Sequence, residues 1–324
     1  MSPCQITVLG ECVADAFTEP TSAPDELALR VLPGGGPANT AVSLARLGTP
    51  ARFLARLSGD VFGRLFRARL EASGVDLSYA VEAAEPSTLA VAELDEKGQA
   101  AFSFHAQNTA DWQWTADELA RVDLSGTACL HTGSLALVRE PGAAVVEDFL
   151  ATATSRTTVS IDPNVRPLLV HPDVYRARLA HWCSLADVLR LSEDDLELLL
   201  PGTPPEQACD SWHAAGARLV VITHGAAGAL ASLDGERVRV PAVTTQVVDT
   251  VGAGDSFTAG LLHHLGAHGH LGGRLDRLSL DDVTEACRFA AQVAALTCSV
   301  AGPNPPWRTQ VEELVPPFIT SARD

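Results

Sequence analysis

The chain has 324 residues, 46% apolar and 19% charged, more than one core absorbs, so one large domain with a smaller appendage is expected. Its 23 basic and 40 acidic residues leave a formal charge of −17, the wrong sign for gripping nucleic acid, and no apolar run approaches the roughly 18 residues of a membrane helix. Lys97, the single lysine, is followed by Gly98 and Gln99, which excludes a Walker-type phosphate loop; an anionic ligand must be held by backbone N–H groups, arginines or a metal ion.

The N-terminus enters a strand pattern at once, Ile6–Leu9, with no basic stretch before an apolar one, so no export signal is expected and the chain is placed in the cytosol. The seven scattered cysteines read as reduced thiols. Ala14–Pro33 has no helical period and carries Pro20, Pro24 and Pro33. Helix Ala38–Leu47, strand Arg52–Leu57 and helix Val61–Ser73 follow. Ser87–His105 reads as two alternating strands, Leu89–Leu94 and Ala100–Phe104, joined by Glu96-Lys97-Gly98. Strands Thr127–Thr132, Thr158–Asp162, Val188–Ser192, Arg218–Thr223 and Gly228–Leu233 then interleave with helices Ala143–Ala153, Glu193–Leu200 and Glu206–Ala215. Helices Ser256–Leu265 and Asp281–Thr297 close the pattern. Such alternation predicts an α/β fold, a mostly parallel sheet with helices on both faces. The two irregular stretches, about 14–33 and 87–110, form a small β flap on it. No repeat or linker divides the chain, so residues 1–324 are read as one domain with its flap.

The densest chemical signal is Asp249-Thr250-Val251-Gly252-Ala253-Gly254-Asp255-Ser256-Phe257 before an apolar helical run. Glycine and alanine leave successive N–H groups uncovered for an anion, and the helix start adds its positive dipole end. Asp255 falls in the first turn. A glycine loop with a capping Asp accounts for the same letters; an anion hole beside a carboxylate suits phosphoryl transfer, the Asp taking a hydroxyl proton. Gly34-Gly35-Gly36-Pro37-Ala38-Asn39 opens another helix. Asn39 there offers a donor and an acceptor to a vicinal diol, or satisfies helix-end amides. Asp15, just past the first strand, could accept two hydroxyl protons or start a turn. G-x-G-x-x-G is absent, which disfavours a dinucleotide fold. His263, His264, His268 and His270 lie where a helix dissolves into glycines, a solvated helix end rather than a metal site.

Together, Gly10-Glu11 through Asp15, the Gly34–Gly48 block, Ser58-Gly59-Asp60-Val61-Phe62-Gly63 and the Asp249–Phe257 block resemble the ribokinase-like sugar kinases, the phosphofructokinase-B family, in order and approximate spacing from about Ile6 to Pro306. The resemblance implies an ATP-dependent kinase with a Rossmann-like α/β domain and a β lid over the sugar. It implies Asp255 as the base, Gly252, Ala253 and Gly254 as the anion hole, and Gly35, Asn39 and Asp15 as sugar contacts. Thr223-His224-Gly225-Ala226-Ala227-Gly228 resembles the family's T-x-G-x-x-G nucleotide loop, giving Thr223, Gly225 and Gly228. Ser192-Glu193-Asp194-Asp195 stands where the family's N-x-x-E segment helps bind the metal-nucleotide, which implies Ser192 for the nucleotide and Asp195 for the metal. A helix cap formed by Ser192 is the alternative. Mg²⁺ would accompany ATP, and Asp249 and Val251 lie where relatives offer carbonyls to K⁺. Gly59-Asp60 reads as a turn and cap.

Within the family the chain is most similar to fructokinases. Pro33–Asn39, Asp162-Pro163-Asn164-Val165-Arg166 and Thr297-Cys298-Ser299 ahead of Pro305-Pro306-Trp307 carry that likeness, with Val300 a departure from the usual Arg. Ribokinases proper tend to have a Glu after the strand that ends here in His131-Thr132-Gly133-Ser134. Arg166 could hold the carboxylate of 2-keto-3-deoxygluconate, meet phosphate or hydroxyls, or pair with Asp162. The expectation is transfer of the ATP γ-phosphoryl to a primary hydroxyl of a ketohexose, fructose giving fructose 6-phosphate. A nucleotide- or sugar-binding protein without turnover is the alternative of a different class, one with no need of a base at Asp255. The exposed flap could pair with its twin in a homodimer.

Overall fold

The computed structural model describes residues 4–23, 25–94, 100–153 and 157–314; the turn expected at Glu96-Lys97-Gly98 lies outside them. In chain order the first strands are β1 (Gln5–Leu9), β2 (Val13–Glu19), β3 (Ala28–Gly34), β4 (Ala51–Leu54), β5 (Arg56–Ser58), β6 (Val81–Ala83), β7 (Thr88–Leu94) and β8 (Ala100–His105). They are followed by β9 (Thr127–Gly133), β10 (Thr158–Asp162), β11 (Val188–Ser192), β12 (Leu219–Thr223), β13 (Ala229–Leu233) and β14 (Glu236–Val240). The helices are α1 (Gly36–Arg46), α2 (Val61–Ala72), α3 (Ala116–Leu119), α4 (Ala143–Ala151) and α5 (Pro172–Leu185), then α6 (Glu193–Leu199), α7 (Pro205–Ala215), α8 (Ala253–Ala267), α9 (Leu280–Cys298) and α10 (Arg308–Leu314).

Eight strands form the main sheet in the order β14-β13-β12-β11-β10-β9-β1-β4. It is parallel from β4 to β12, with β13 and β14 added antiparallel. Helices cover both faces, so central strands are apolar on both sides. Leu189 and Leu191 share a core with Tyr175 and Trp182 of α5 and Trp212 of α7. Val188, one residue out of phase, packs with Leu261 of α8 and Ala286 of α9. Arg190 interrupts that second side and is nonetheless buried.

The expected flap is a separate four-stranded sheet, β3-β2-β7-β8. β2 pairs antiparallel with β3 and parallel with β7, which sets Asp15 opposite Leu32 and Ala90. Asp111 joins the two sheets: its carboxylate accepts from Cys12 N (2.9 Å), on the way from β1 to β2, and from Thr88 Oγ1 (2.6 Å), which opens β7. Burial pushes this acid up to about 6.

Several elements depart from expectation, among them β6, α3 and α10, which were not anticipated. The strand expected over Arg52–Leu57 is two, because β5 leaves the main sheet to pair with β6. Buried Arg56 directs that turn through Glu85, Glu118 and the carbonyl of Ala110. The helix α5 was not expected, although Tyr175, Leu179, Trp182 and Cys183 are its buried stripe. Nor was β14, reached from β13 through Asp234-Gly235, both with positive φ (48° and 96°), the backbone a tight hairpin needs. Asp60 does cap α2, accepting from the N–H groups of Phe62 (3.0 Å) and Gly63 (2.8 Å). In the histidine cluster, His263 stacks on Phe289 at 5.4 Å while exposed His268 closes α8.

Candidate active site

Parallel pairing places the carboxyl ends of the central strands side by side. Leu9 pairs with Thr132, Gly133 with Asp162, and Ser192 with Thr223. β1 has β4 on one side and β9 on the other, so the order in which the parallel strands are laid down reverses across it. Ligand crevices form where strand order reverses in this way, outside the strand ends.

Over those ends lies the start of α8. The helix begins three residues before the expected Ser256, with Gly252 as its N-cap in the left-handed region (φ 78°). That shift makes Asp255 the third residue of the helix. Gly254 N–H and Asp255 N–H have no acceptor among the described residues, while Ala253 N–H is turned to the carbonyl of Thr250 (3.2 Å). Of the expected anion-hole residues, Ala253 therefore has its N–H already committed within its own loop.

Helix α1 enters from the opposite side. Asn39 does not cap its own helix; its Nδ2 donates to Asp255 Oδ2 (2.9 Å), and its Oδ1 finds no partner among the described residues. Thr40 Oγ1 donates to the Asp255 carbonyl (3.4 Å). Two adjacent glycines permit this approach. A Cβ on Gly35 (φ 100°) would lie 2.4 Å from the Glu11 carbonyl. One on Gly36 would lie 2.7 Å from Asn164 Nδ2 and 3.1 Å from Asp255 Oδ1, so Gly36, rather than Gly35, faces the acid. Asp255 lines a small cavity with Gly36, Thr40, His131, Ser134, Asp162 and Asn164. Burial pushes it up to about 6; Asp162 adds to the rise, while the Asn39 hydrogen bond, Arg166 and Arg190 oppose it.

Asp15 sits on β2 with its carboxylate tucked against Gly34, where a Cβ would stand 1.9 Å from Oδ2. Burial pushes Asp15 to about 6 as well; Arg166 and Arg69 oppose the rise and Asp255 adds to it. The sheet of β2 and the start of α8 thus present two carboxylates within electrostatic range of one another. Arg166 is exposed, and its charge favours the ionised form of both. It does not pair with Asp162, which is bound instead by Arg190 (2.8 Å).

The nucleotide-loop candidates stand at the next strands along. Thr223 ends β12, and Gly225 and Gly228 both have positive φ (52° and 93°). Gly228 is irreplaceable sterically, since a Cβ would meet the Val240 carbonyl at 2.1 Å; Gly225 faces open space. Thr223 Oγ1 accepts from Arg190 Nη2 (2.7 Å). Ser192 caps α6 in a reciprocal box with Asp195. Asp195 is poorly placed as a direct metal ligand, because Oδ1 accepts from Val165 N (2.7 Å) and Oδ2 from Ser192 N and Oγ (3.0 and 2.6 Å). The exposed acids of that turn are Glu193 and Asp194, and Glu193 reaches His224 (3.3 Å).

Gly36, Thr40 and Asn164 line the candidate cavity and Arg190 binds its Asp162, though the sequence reading assigns none of the four to the chemistry. Gly36, Thr40 and Asn164 fall inside motifs that carry the family resemblance; Arg190, inside the strand expected over Val188–Ser192, carries no local signal.

Residues 5–310 match the pfkB family carbohydrate kinases. The chain is similar to a fructokinase from Klebsiella pneumoniae, 36% identical over 82% of this chain and 85% of that one. A fructokinase from Rhizobium leguminosarum is 34% identical over 80% and 79%. Among solved structures, Xylella fastidiosa fructokinase with bound ATP superposes with a TM-score of 0.87 at 27% identity, covering 96% of this chain and 98% of that one. Vibrio cholerae fructokinase with fructose, ADP and calcium gives 0.79 at 27%, covering 94% and 95%.

Proposed function

Since this chain belongs to the pfkB family of carbohydrate kinases, we propose that it transfers the γ-phosphoryl of ATP to the primary hydroxyl of fructose, giving fructose 6-phosphate. One observation carries the proposal: Asp255 stands in the first turn of α8 beside uncommitted backbone N–H groups, steadied by Asn39 at 2.9 Å. The amides of Gly254 and Asp255, the close approach allowed by Gly252, and the dipole of α8 hold the moving phosphoryl. Asp255 accepts the hydroxyl proton as the oxygen attacks. A carboxylate is a weak base for an alcohol, so alignment and charge stabilisation supply most of the acceleration. Asp15 and Asn39 orient the sugar from either side, and Gly35 lets the backbone come close. Thr223, Gly225 and Gly228 shape the nucleotide loop, with Ser192 and Asp195 fixing the adjacent turn.

Mg²⁺ brought by ATP would neutralise phosphate charge that one lysine cannot. Glu193 and Asp194 are hard oxygen donors at the nucleotide side, suited to such an ion through water. The carbonyls of Asp249 and Val251 suit K⁺; the Asp249 side chain clamps their loop to Val251 N (3.0 Å) and Gly302 N (2.8 Å).

The four-stranded sheet, with residues 14–33 and 87–110, acts as the lid of a single kinase domain and keeps water from the phosphoryl. Its edge strand β3 and the segment before it expose Leu29 and Leu27, and the lid joins a twin there in a homodimer. Sedimentation equilibrium should show a dimer that Leu27→Asp/Leu29→Asp dissociates; a monomeric parent protein rejects this assembly. Seven cysteines, all thiols here, suit the reducing cytosol.

A coupled ADP-release assay over a sugar panel tests the activity, with fructose expected as the preferred acceptor. Arg166, exposed and free of Asp162, supports 2-keto-3-deoxygluconate as the second reading, and the panel decides between them. Sugar-independent ADP release, or none at all, sinks both. The activity should also show an acid limb. Asp255 must be ionised to take a proton and its carboxyl is pushed to about 6, so kcat climbs as pH rises through about 6 and levels above 7. A kcat flat from pH 5 to 8 removes Asp255 from the base role.

A further inference from the structure

A buried cation beside the cavity has no task in that scheme. Arg190 projects from β11 and is 6% exposed. Its Nη1 donates to Asp162 Oδ2 (2.8 Å) and its Nη2 to Thr223 Oγ1 (2.7 Å), so β10, β11 and β12 are tied together at their carboxyl ends. The same guanidinium lies against the first turn of α8. A Cβ on Gly254 would come within 2.9 Å of Nη1 and 3.1 Å of Nη2, and the Phe257 ring is 5.8 Å away. Nε has no partner among the described residues.

For the fold alone this is an unfavourable place for a cation. A buried arginine needs a full set of acceptors, and Asp162 and Thr223 satisfy only two of its five donor hydrogens. The positive end of α8 adds repulsion. The balance reverses when a multiply charged anion occupies the loop above. Arg166 and Arg190 both act on Asp255, and of these two Arg190 is the buried one.

We propose that Arg190 is a positioning residue for phosphoryl transfer, holding the Gly254 turn and Asp162 in register and placing buried positive charge beneath the terminal phosphate. The inference rests on the kinase reading, and its test separates the two. Arg190→Met and Arg190→Lys are compared with the parent protein by turnover and by calorimetric titration with β,γ-methylene-ATP and with ADP. Arg190→Met should lower kcat by about 10²–10³-fold, the scale of a lost preorganised donor, with sugar KM within about threefold. Lys should recover about tenfold of that loss. Affinity for β,γ-methylene-ATP should fall about tenfold, and that for ADP by less than about twofold.

Removing Arg190 alone strands the Asp162 charge, so Arg190→Met/Asp162→Asn provides a neutral replacement that folds should the single variant not. Parental kcat in whichever of these variants folds overturns the proposal. Equal weakening of both nucleotides also overturns it, since that is what a merely structural role predicts. If the parent protein phosphorylates no sugar, the kinase reading falls, and the nucleotide comparison still decides for or against Arg190.

Discussion

Asp255→Asn should lower kcat on fructose by about 10²–10⁴-fold, the usual scale for a lost general base. Asn preserves the shape of the side chain and an acceptor for Asn39 Nδ2, now 2.9 Å from Oδ2. What it loses is the capacity to take a proton, so KM for sugar and ATP should stay within about threefold. The same variant should be more stable than the parent. Asp255 titrates near 6 in the folded protein against an ordinary 3.8, chiefly because burial disfavours its charge. A raised acid contributes its stability below about pH 4 and loses it as pH rises through about 6. Above that the protein carries a buried charge that is less favourable than a neutral amide, a difference on the order of 3 kcal/mol. Thermal melts at pH 5 and pH 8 should show the Asn variant gaining on the parent at the higher pH. Undiminished kcat, or a gap that closes as pH rises, contradicts the assignment.

Asp15→Ala should raise the sugar KM by roughly 10²-fold or more while leaving the KM for ATP nearly unchanged. Two charge-assisted hydrogen bonds to hydroxyls, each worth about 1.5–3 kcal/mol, account for that scale. Gly34→Ala provides a control that keeps the charge. Its Cβ would fall 1.9 Å from Asp15 Oδ2, so the carboxylate must swing away. Gly34→Ala should therefore reproduce much of the KM defect with Asp15 still present. Sugar KM within threefold of the parent in both variants would take Asp15 out of the sugar site.

Local chemistry was legible before the structure. The cap at Asp60 and the strands β1 and β9 to β13 follow from Asp and β-branched residues acting on their immediate neighbours, and the glycines before Asp255 mark the start of α8 to within three residues. Contacts made across the fold were not. Asp162 was weighed as a partner for Arg166, four residues away, whereas it is bound by Arg190 on the next strand. Asn39 looked like a sugar ligand or a helix cap; that its amide would steady Asp255, 216 positions later, depends on the packing of α1 on α8. Asp195 resembled a metal acid, and its capping box with Ser192 was an equally local alternative that the structure displays. The helix α5 escaped because its polar residues mask a stripe completed only by the partners of Trp182 and Tyr175 in the core.

The division of the site between two sheets bears on how such a protein changes over time. Asp255 and its backbone donors rest on a helix anchored to the large sheet, while Asp15 belongs to the small one. With Asp15 assigned to the sugar and Asp255 to the transfer as proposed, drift in the peripheral strands would retune which sugar is accepted and leave the transfer machinery intact. Diversification of acceptor preference is thereby uncoupled from the chemistry, a separation that makes new specificities accessible through few mutational steps.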